Sequence, residues 1–301
     1  MESARPDLRP LGVGEMVDGA IRLYRNNFLT LIKISAMVLG PIAVVELIAT
    51  AAVGPLDLAT MLVVDPDATA MEVFEPLIPI YSVLALTGIL SFLGSVLVQG
   101  ASITALAQAM QGEEPDWRVS LRAGARRFFP LMLSTILLSL GSGIGLIFCL
   151  VPGIFLFTMW TVSPAALVTE RLGPVAALGR SYRLVKGRFW PVLGAVVLAY
   201  LLYVVVSQIV GAVTSVLTIV GAVNGEQISF LPAIVGSSIV SVISAPFLAA
   251  MVTIIYFDLR VRKEGYDLEL MARDLERMES ASPTHTTSDD DPFGLGAPDG
   301  R

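Results

Sequence analysis

Long apolar stretches separated by short polar ones dominate the pattern along this chain. Six stretches are long enough, at 1.5 Å per helical residue, to cross a hydrocarbon core of about 30 Å, and they carry almost no charge. They are Phe28–Val53, Ile78–Leu106, Phe129–Leu150, Pro152–Val168, Phe189–Val223 and Ser229–Phe257. The pattern predicts an all-α membrane protein with six transmembrane helices, numbered here as spans one to six.

Spans three and four belong to one apolar block, Leu131–Val168, which is too long for a single crossing. The sequence Cys149-Leu150-Val151-Pro152-Gly153 interrupts it with residues that favour a turn. We therefore expect a tight helical hairpin at this point.

The basic residues predict the orientation. All 20 lysines and arginines lie before or at the start of span one, between spans two and three, between spans four and five, or after span six. The 54–77 loop instead carries Asp57, Asp65, Asp67, Glu72 and Glu75. Because short loops rich in Lys and Arg stay in the cytoplasm, both termini are predicted to be cytoplasmic, despite a net charge of −6.

Three segments align without gaps, each directly before an odd-numbered span: Val17–Phe28, Trp117–Phe128 and Leu178–Phe189. Each has a largely apolar face at helical spacing. This predicts three helical hairpins, each preceded by a cytoplasmic amphipathic helix at the membrane interface. The alternative is chance similarity, because basic loops before any span look alike.

Five arginines of these segments are candidate contacts to anionic lipid headgroups. Arg22, Arg122 and Arg183 occupy one aligned position, and Arg127 and Arg188 occupy another with Asn27. The topology of the chain would by itself also explain basic residues at these places.

Three polar residues inside spans form a candidate intramembrane site: Glu46, Gln99 and Gln208. A carboxyl group in a membrane is costly, so Glu46 is expected to face protein or water. The competing interpretation is structural, because amides and carboxyl groups also join helices by hydrogen bonds. Small residues, including Gly141 and Gly145 in span three, predict close-packed faces within or between subunits.

Enzymatic groups are scarce. The single histidine, His285, lies in a polar segment, and the single cysteine, Cys149, lies in an apolar run, so the usual metal and triad sets cannot be assembled. No phosphate-binding glycine loop and no basic aromatic-rich domain is present. We expect no enzyme activity, no cofactor, no metal site and no nucleic-acid partner.

The polar flanks complete the predicted domain organisation. Residues 1–27 form a cytoplasmic N-terminal segment with the first interfacial helix, and residues 28–257 form the transmembrane domain. A cytoplasmic juxtamembrane helix is predicted at 258–279, where apolar residues recur at helical spacing. Ser, Thr, Pro, Asp and Gly dominate residues 280–301, which predicts a disordered tail.

Four stretches resemble a bacterial family known as the glycerophosphoryl diester phosphodiesterase membrane-domain type. They are LGVGEMVDGAIRLYRNNF at Leu11–Phe28, VPGI at Val151–Ile154, GPVAALGRSYRLVKGRFW at Gly173–Trp190 and YFDLRVRKEGYDL at Tyr256–Leu268. The resemblance covers roughly residues 10–275. It implies a multi-pass protein of the bacterial cytoplasmic membrane without the catalytic domain that gives the family its name.

Two classes of function follow. We favour a non-enzymatic scaffold or accessory subunit, with the lipid bilayer and a membrane-protein partner or a second copy of the chain as its contacts. The alternative is a permease or channel for a lipid or small solute. Polar residues of several spans that converge in the membrane would favour this alternative.

Overall fold

The computed structural model describes residues 11–53, 74–224 and 230–265, where all regular structure is helical. Six helical segments are long and apolar enough to cross a membrane, which confirms the predicted all-α, six-span membrane fold. They are α2 (Phe28–Val53), α3 (Ile78–Met110), α5 (Phe128–Phe148), α6 with α7 (Leu150–Trp160 and Ser163–Thr169), α9 (Phe189–Val223) and α10 (Leu231–Glu264). Three shorter helices, α1 (Val13–Asn26), α4 (Trp117–Arg126) and α8 (Pro174–Val185), precede the odd-numbered spans, and a 3-10 turn at Glu75–Leu77 precedes α3.

Two helices continue beyond the predicted spans at their C-terminal ends. α3 runs to Met110 rather than Leu106, and α10 runs to Glu264 rather than Phe257. Gly265 ends α10 in the left-handed conformation, at φ 60°, and its amide donates to the carbonyl of Val261 at 3.1 Å. The predicted juxtamembrane helix at 258–279 therefore starts as the last two turns of α10, and residues 266–301 lie outside the described residues.

The hairpin between spans three and four is tighter than predicted. Cys149 alone separates α5 from α6, in an extended conformation at φ −168° and ψ 142°. Pro152 and Gly153 belong to the start of α6, where proline is tolerated because the first amides of a helix have no partner within it. The expected turn residues are therefore helical, and the cysteine makes the turn.

Glycines allow the two helices of this hairpin to lie close together. A Cβ atom at Gly145 would lie 2.8 Å from the Cα of Gly153, and one at Gly141 would clash with the ring of Trp160. The close-packed face predicted for span three is thus used within the chain.

Consecutive spans pair as three hairpins, α2 with α3, α5 with α6 and α7, and α9 with α10. Each short helix packs on the hairpin that precedes it: α4 on α2 and α3, and α8 on α5, α6 and α7. The first helix of the described residues, α1, packs on α9 and α10 instead. The first helix therefore closes a ring with the last hairpin.

The apolar core lies at the end of the bundle where the short helices pack, which we call the basic end. All buried residues of α2 lie between Leu31 and Leu39, and those of α10 are densest between Ala249 and Val261. The largest fully buried side chains include Met16, Leu31, Ile103, Leu106, Leu184, Tyr256 and Phe257. The core thus connects the short helices to the spans.

Candidate functional site

The last turns of α10 carry most of the polar contacts at the basic end. The carboxylate of Asp258 is fully buried and accepts two hydrogen bonds from Nε of Arg262, at 3.0 and 2.9 Å. A buried charge needs such a partner, because the loss of hydration is otherwise uncompensated. The pair lies one helical turn apart, so the helix itself positions both groups.

The same ion pair binds the main chain of Leu11, just before α1. The amide of Leu11 donates to Oδ1 of Asp258 at 2.8 Å, and Nη2 of Arg262 donates to the carbonyl of Leu11 at 2.6 Å. Side chains of α10 therefore bind both the amide and the carbonyl group of Leu11. This contact fixes the start of α1 against the last hairpin.

A second ion cluster joins α10 to the segment between α7 and α8. Nε of Arg180 donates to both oxygens of Glu170 at 2.8 Å, and its Nη2 donates to Oε2 of Glu264 at 2.8 Å. The buried Tyr256 donates its hydroxyl hydrogen to Glu170 at 2.7 Å, and Nε of Arg260 donates to Glu264 at 3.1 Å. The cluster contains two carboxylates, two guanidinium groups and a phenol.

Arg180 is the centre of this cluster. The hydrogen bond to Glu264 is the largest cause of its raised pKa, and burial opposes it. Its side chain is 16% exposed, which leaves little solvent to screen the two carboxylates. Arg180 therefore acts as a permanent cation that joins α8 to α10.

Lys263 makes a third polar contact of α10, with the end of α8. Its Nζ donates to the carbonyls of Arg183 and Lys186, each at 2.6 Å. The last carbonyls of a helix have no partner inside it and favour a cation. Lys263 thus caps the C-terminal end of α8.

These contacts join segments of the chain, and each carboxylate in them is paired with an arginine rather than free for acid–base chemistry. Asp258, Glu170 and Glu264 each accept hydrogen bonds from an arginine. Among the described residues, no three His, Cys, Asp or Glu side chains lie close enough to hold a metal ion. The arrangement can hold segments of the chain together at fixed positions.

The five arginines predicted to contact lipid are placed in two ways. Arg22, Arg122 and Arg183 are exposed on α1, α4 and α8. Arg127 and Arg188 are half-buried at the junctions with α5 and α9. Nη1 of Arg127 donates to the carbonyl of Arg171 at 3.5 Å, whereas the buried Nε of Arg188 has no partner among the described residues.

The three predicted intramembrane polar residues do not come together. Gly94 of α3 faces Leu39 and Ile42 of α2. Glu46 lies beyond this contact toward one end of the helix pair, and Gln99 lies beyond it toward the other. Gln208 is exposed on α9, for which α1, α6 and α10 are the main neighbours.

The ion clusters were missed in the sequence because their basic residues were assigned to topology alone. Two local signals were present: Asp258 with Arg262 and Arg260 with Glu264, each at a spacing of four. The partners outside α10, Leu11 and Arg180, are separated from it by 247 and 84 residues along the chain. No periodicity within one helix predicts such contacts.

Comparison with known proteins adds no further information on the site. No family model, curated protein or solved structure matches this chain.

Proposed function

We propose that this chain is a non-enzymatic scaffold or accessory subunit of the bacterial cytoplasmic membrane, with both termini in the cytoplasm. One observation carries the proposal: the buried charges of the basic end hold the chain together, while Arg22, Arg122 and Arg183 remain exposed on three short helices. A rigid face with outward cations suits binding to anionic headgroups or to an acidic partner.

The proposal includes a threefold internal repeat of short helix, span and returning span. Asn27, Arg127 and Arg188 occupy one aligned position, and each accepts a hydrogen bond from the amide four residues later, Leu31, Leu131 and Val192. Each also donates its own amide to the carbonyl three residues earlier. The shared geometry of these junctions supports the repeat, as does the packing of each short helix on a neighbouring hairpin.

The amphipathic character of the short helices also supports the proposal. On α1, Met16, Val17, Ala20 and Leu23 are buried, whereas Arg22 and Arg25 are exposed. The apolar face of α1 packs on α9 and α10, so the exposed arginines are the part of this helix available to anionic headgroups.

The resemblance to the glycerophosphoryl diester phosphodiesterase membrane-domain type belongs to this proposal as well. Three of its four stretches touch each other at the basic end: Leu11 contacts Asp258 and Arg262, and Arg180 contacts Glu264. A contact network shared by these stretches gives a physical reason for them to occur together.

Lipid selectivity tests the lipid part of the proposal. The full chain is reconstituted in phosphatidylcholine vesicles, and its preference for spin-labelled phosphatidylglycerol over spin-labelled phosphatidylcholine is measured from the motionally restricted fraction. Charge reversal by Arg22→Glu, Arg122→Glu and Arg183→Glu together is expected to abolish this preference, because the headgroup attraction becomes a repulsion.

The matched control reverses three exposed charges at other positions of the same face, by Arg25→Glu, Arg126→Glu and Lys186→Glu. It is expected to keep most of the preference. Equal loss in both variants would assign selectivity to the net charge of the face, and an unchanged preference in the first variant would exclude lipid contact at the three aligned positions.

Affinity purification after mild cross-linking tests the scaffold role. A membrane protein that co-purifies in stoichiometric amounts, and is lost on charge reversal at the three positions, is the expected result. Saturable uptake of a solute by vesicles that contain only this chain would instead establish a permease.

A further inference from the structure

Three cations at the junction of α8 and α9 have no counter-charge in the described part of the chain. Arg183 and Lys186 are exposed, whereas Leu184 and Val185 between them are buried, so both cations lie on the outer side of the helix end. Arg188 is half-buried, and its buried Nε has no partner among the described residues. None of the ion pairs between described residues includes these three side chains, which we call the junction cations.

The C-terminal segment of the chain starts beside the junction cations. Nζ of Lys263 donates to the carbonyls of Arg183 and Lys186, each at 2.6 Å. Gly265 ends α10 two residues later. Residues 266–301 therefore continue from a point next to the end of α8.

This segment carries the complementary charge. Residues 278–300 contain five acidic residues and no lysine or arginine, and three of the five are consecutive, at Asp289–Asp291. Asp289 follows Gly265 by 24 residues, and a coil of that length spans about 25–30 Å, which is enough to return to the end of α8. Anionic lipid headgroups repel such a stretch, so a cationic protein surface is the neighbour that attracts it.

We propose that Asp289–Asp291 bind to the junction cations of the same chain. Carboxylates pair with guanidinium and ammonium groups through charge-assisted hydrogen bonds. Single pairs at an exposed site are weak, but attachment to α10 raises the local concentration of the acidic stretch to the millimolar range. Because the contact covers Arg183, the C-terminal segment competes with anionic headgroups for this residue. The contact itself does not depend on the scaffold function proposed above.

Carbodiimide cross-linking tests the contact. The full chain is placed in phosphatidylcholine nanodiscs with one copy per disc, so that anionic lipid and neighbouring copies are absent and both faces are accessible. The reagent activates a carboxyl group, and the amine of a contacting lysine displaces it as its urea, so that an amide bond joins the two side chains. The chain has only three lysines, Lys33, Lys186 and Lys263. The expected product, identified by mass spectrometry after proteolysis, joins Lys186 to Asp289–Asp291.

Salt and the loss of two cations test whether charge holds the contact. The Debye length falls from about 10 Å at 0.1 M salt to about 3 Å at 1 M, so the yield at Lys186 is expected to fall severalfold at high salt. Arg183→Gln with Arg188→Gln is expected to lower the yield by about 2- to 30-fold, the range for two exposed ion pairs.

The matched control removes three other carboxylates of the same segment, by Asp274→Asn, Glu276→Gln and Glu279→Gln. It is expected to leave the yield at Lys186 unchanged. Absence of this cross-link in the wild type, an equal yield at 1 M salt, or an equal loss in the control and in the double arginine variant would overturn the proposal. None of these results bears on headgroup contact, because the nanodiscs contain no anionic lipid.

Discussion

At the basic end of the bundle, side chains from short and long helices fill one apolar core, whereas at the opposite end α2, α3 and α9 expose most of their large apolar residues. Leu106 of α3 is fully buried, and Leu84 of the same helix is 60% exposed. Lipid tails are as apolar as leucine, so the bilayer gives the exposed end little reason to pack more tightly. The basic end holds its helices by this apolar core and also by polar contacts, such as the pair of Asp258 and Arg262.

The largest expected difference is that the two ends lie on opposite sides of the membrane, with the basic end in the cytoplasm. Cys149 lies at the turn of the α5–α6 hairpin and is exposed. A maleimide that does not cross membranes should label it from outside intact cells, because the predicted orientation places this turn on the outer side. A cysteine introduced at the basic end, by Arg126→Cys in the chain with Cys149→Ala, should react only after the membrane is made permeable. Labelling of both sites from outside would contradict the predicted orientation.

The next largest effect concerns the buried charge at the basic end. Asp258→Asn should lower the free energy of unfolding by about 3–5 kcal/mol, because it breaks a buried ion pair and leaves the guanidinium of Arg262, which is 20% exposed, without its counter-charge. Unfolding by sodium dodecyl sulfate in mixed micelles, followed by circular dichroism, measures this change.

Asp18→Asn removes an exposed carboxylate of α1 and serves as the control, with an expected change below about 0.5 kcal/mol. If Asp258→Asn behaved like this control, the Asp258–Arg262 pair would not hold the basic end together.

Alanine substitutions at two glycines, Gly124 at the basic end and Gly211 on α9, compare how tightly the two regions are packed. A Cβ atom at Gly124 would lie 2.7 Å from the backbone nitrogen of Ala101, whereas none of the surrounding atoms lies within 4 Å of one at Gly211. Gly124→Ala should therefore cost about 1–3 kcal/mol. Gly211→Ala should stabilise α9 by up to about 1 kcal/mol, since alanine is the better helix former. Equal effects in the same unfolding assay would show that packing is alike at both ends.

The same contrast explains which helix boundaries could be predicted. α2 and α9 begin and end at the predicted residues because polar residues precede Phe28 and Phe189, so the edge of the apolar run coincides with the helix start. α3 and α10 continue for several residues past the predicted ends. Their last turns are stabilised by neighbouring helices rather than by lipid. A hydropathy pattern along the chain does not detect contacts with neighbouring helices.

The site could be predicted only in part. The exposed positions of Arg22, Arg122 and Arg183 follow from helical periodicity, which the sequence displays directly. The role of Arg180 does not, because its partner Glu264 is 84 residues away and on a different helix. Contacts of this kind depend on the packing of complete helices, and a pattern within one helix carries no information about them.

The smallest expected effect comes from a contact where the two ends of the bundle meet. Tyr24 of α1 donates its hydroxyl hydrogen to the carbonyl of Ile243 at 3.0 Å, and its ring packs edge-on against Phe247. Tyr24→Phe keeps the ring and removes the hydrogen bond, so the free energy of unfolding should fall by about 0.5–1.5 kcal/mol.

This effect should depend on pH. Burial raises the pKa of Tyr24 to about 12 from 10.0, so the contribution of its hydroxyl group to stability should be complete below pH 10 and lost as the pH rises toward 12. The difference in stability between wild type and Tyr24→Phe, measured from pH 8 to about pH 12, should shrink over that interval. A constant difference would mean that the hydroxyl group is not protected from solvent, and that α1 packs more loosely on α10 than the contacts of Leu11 indicate.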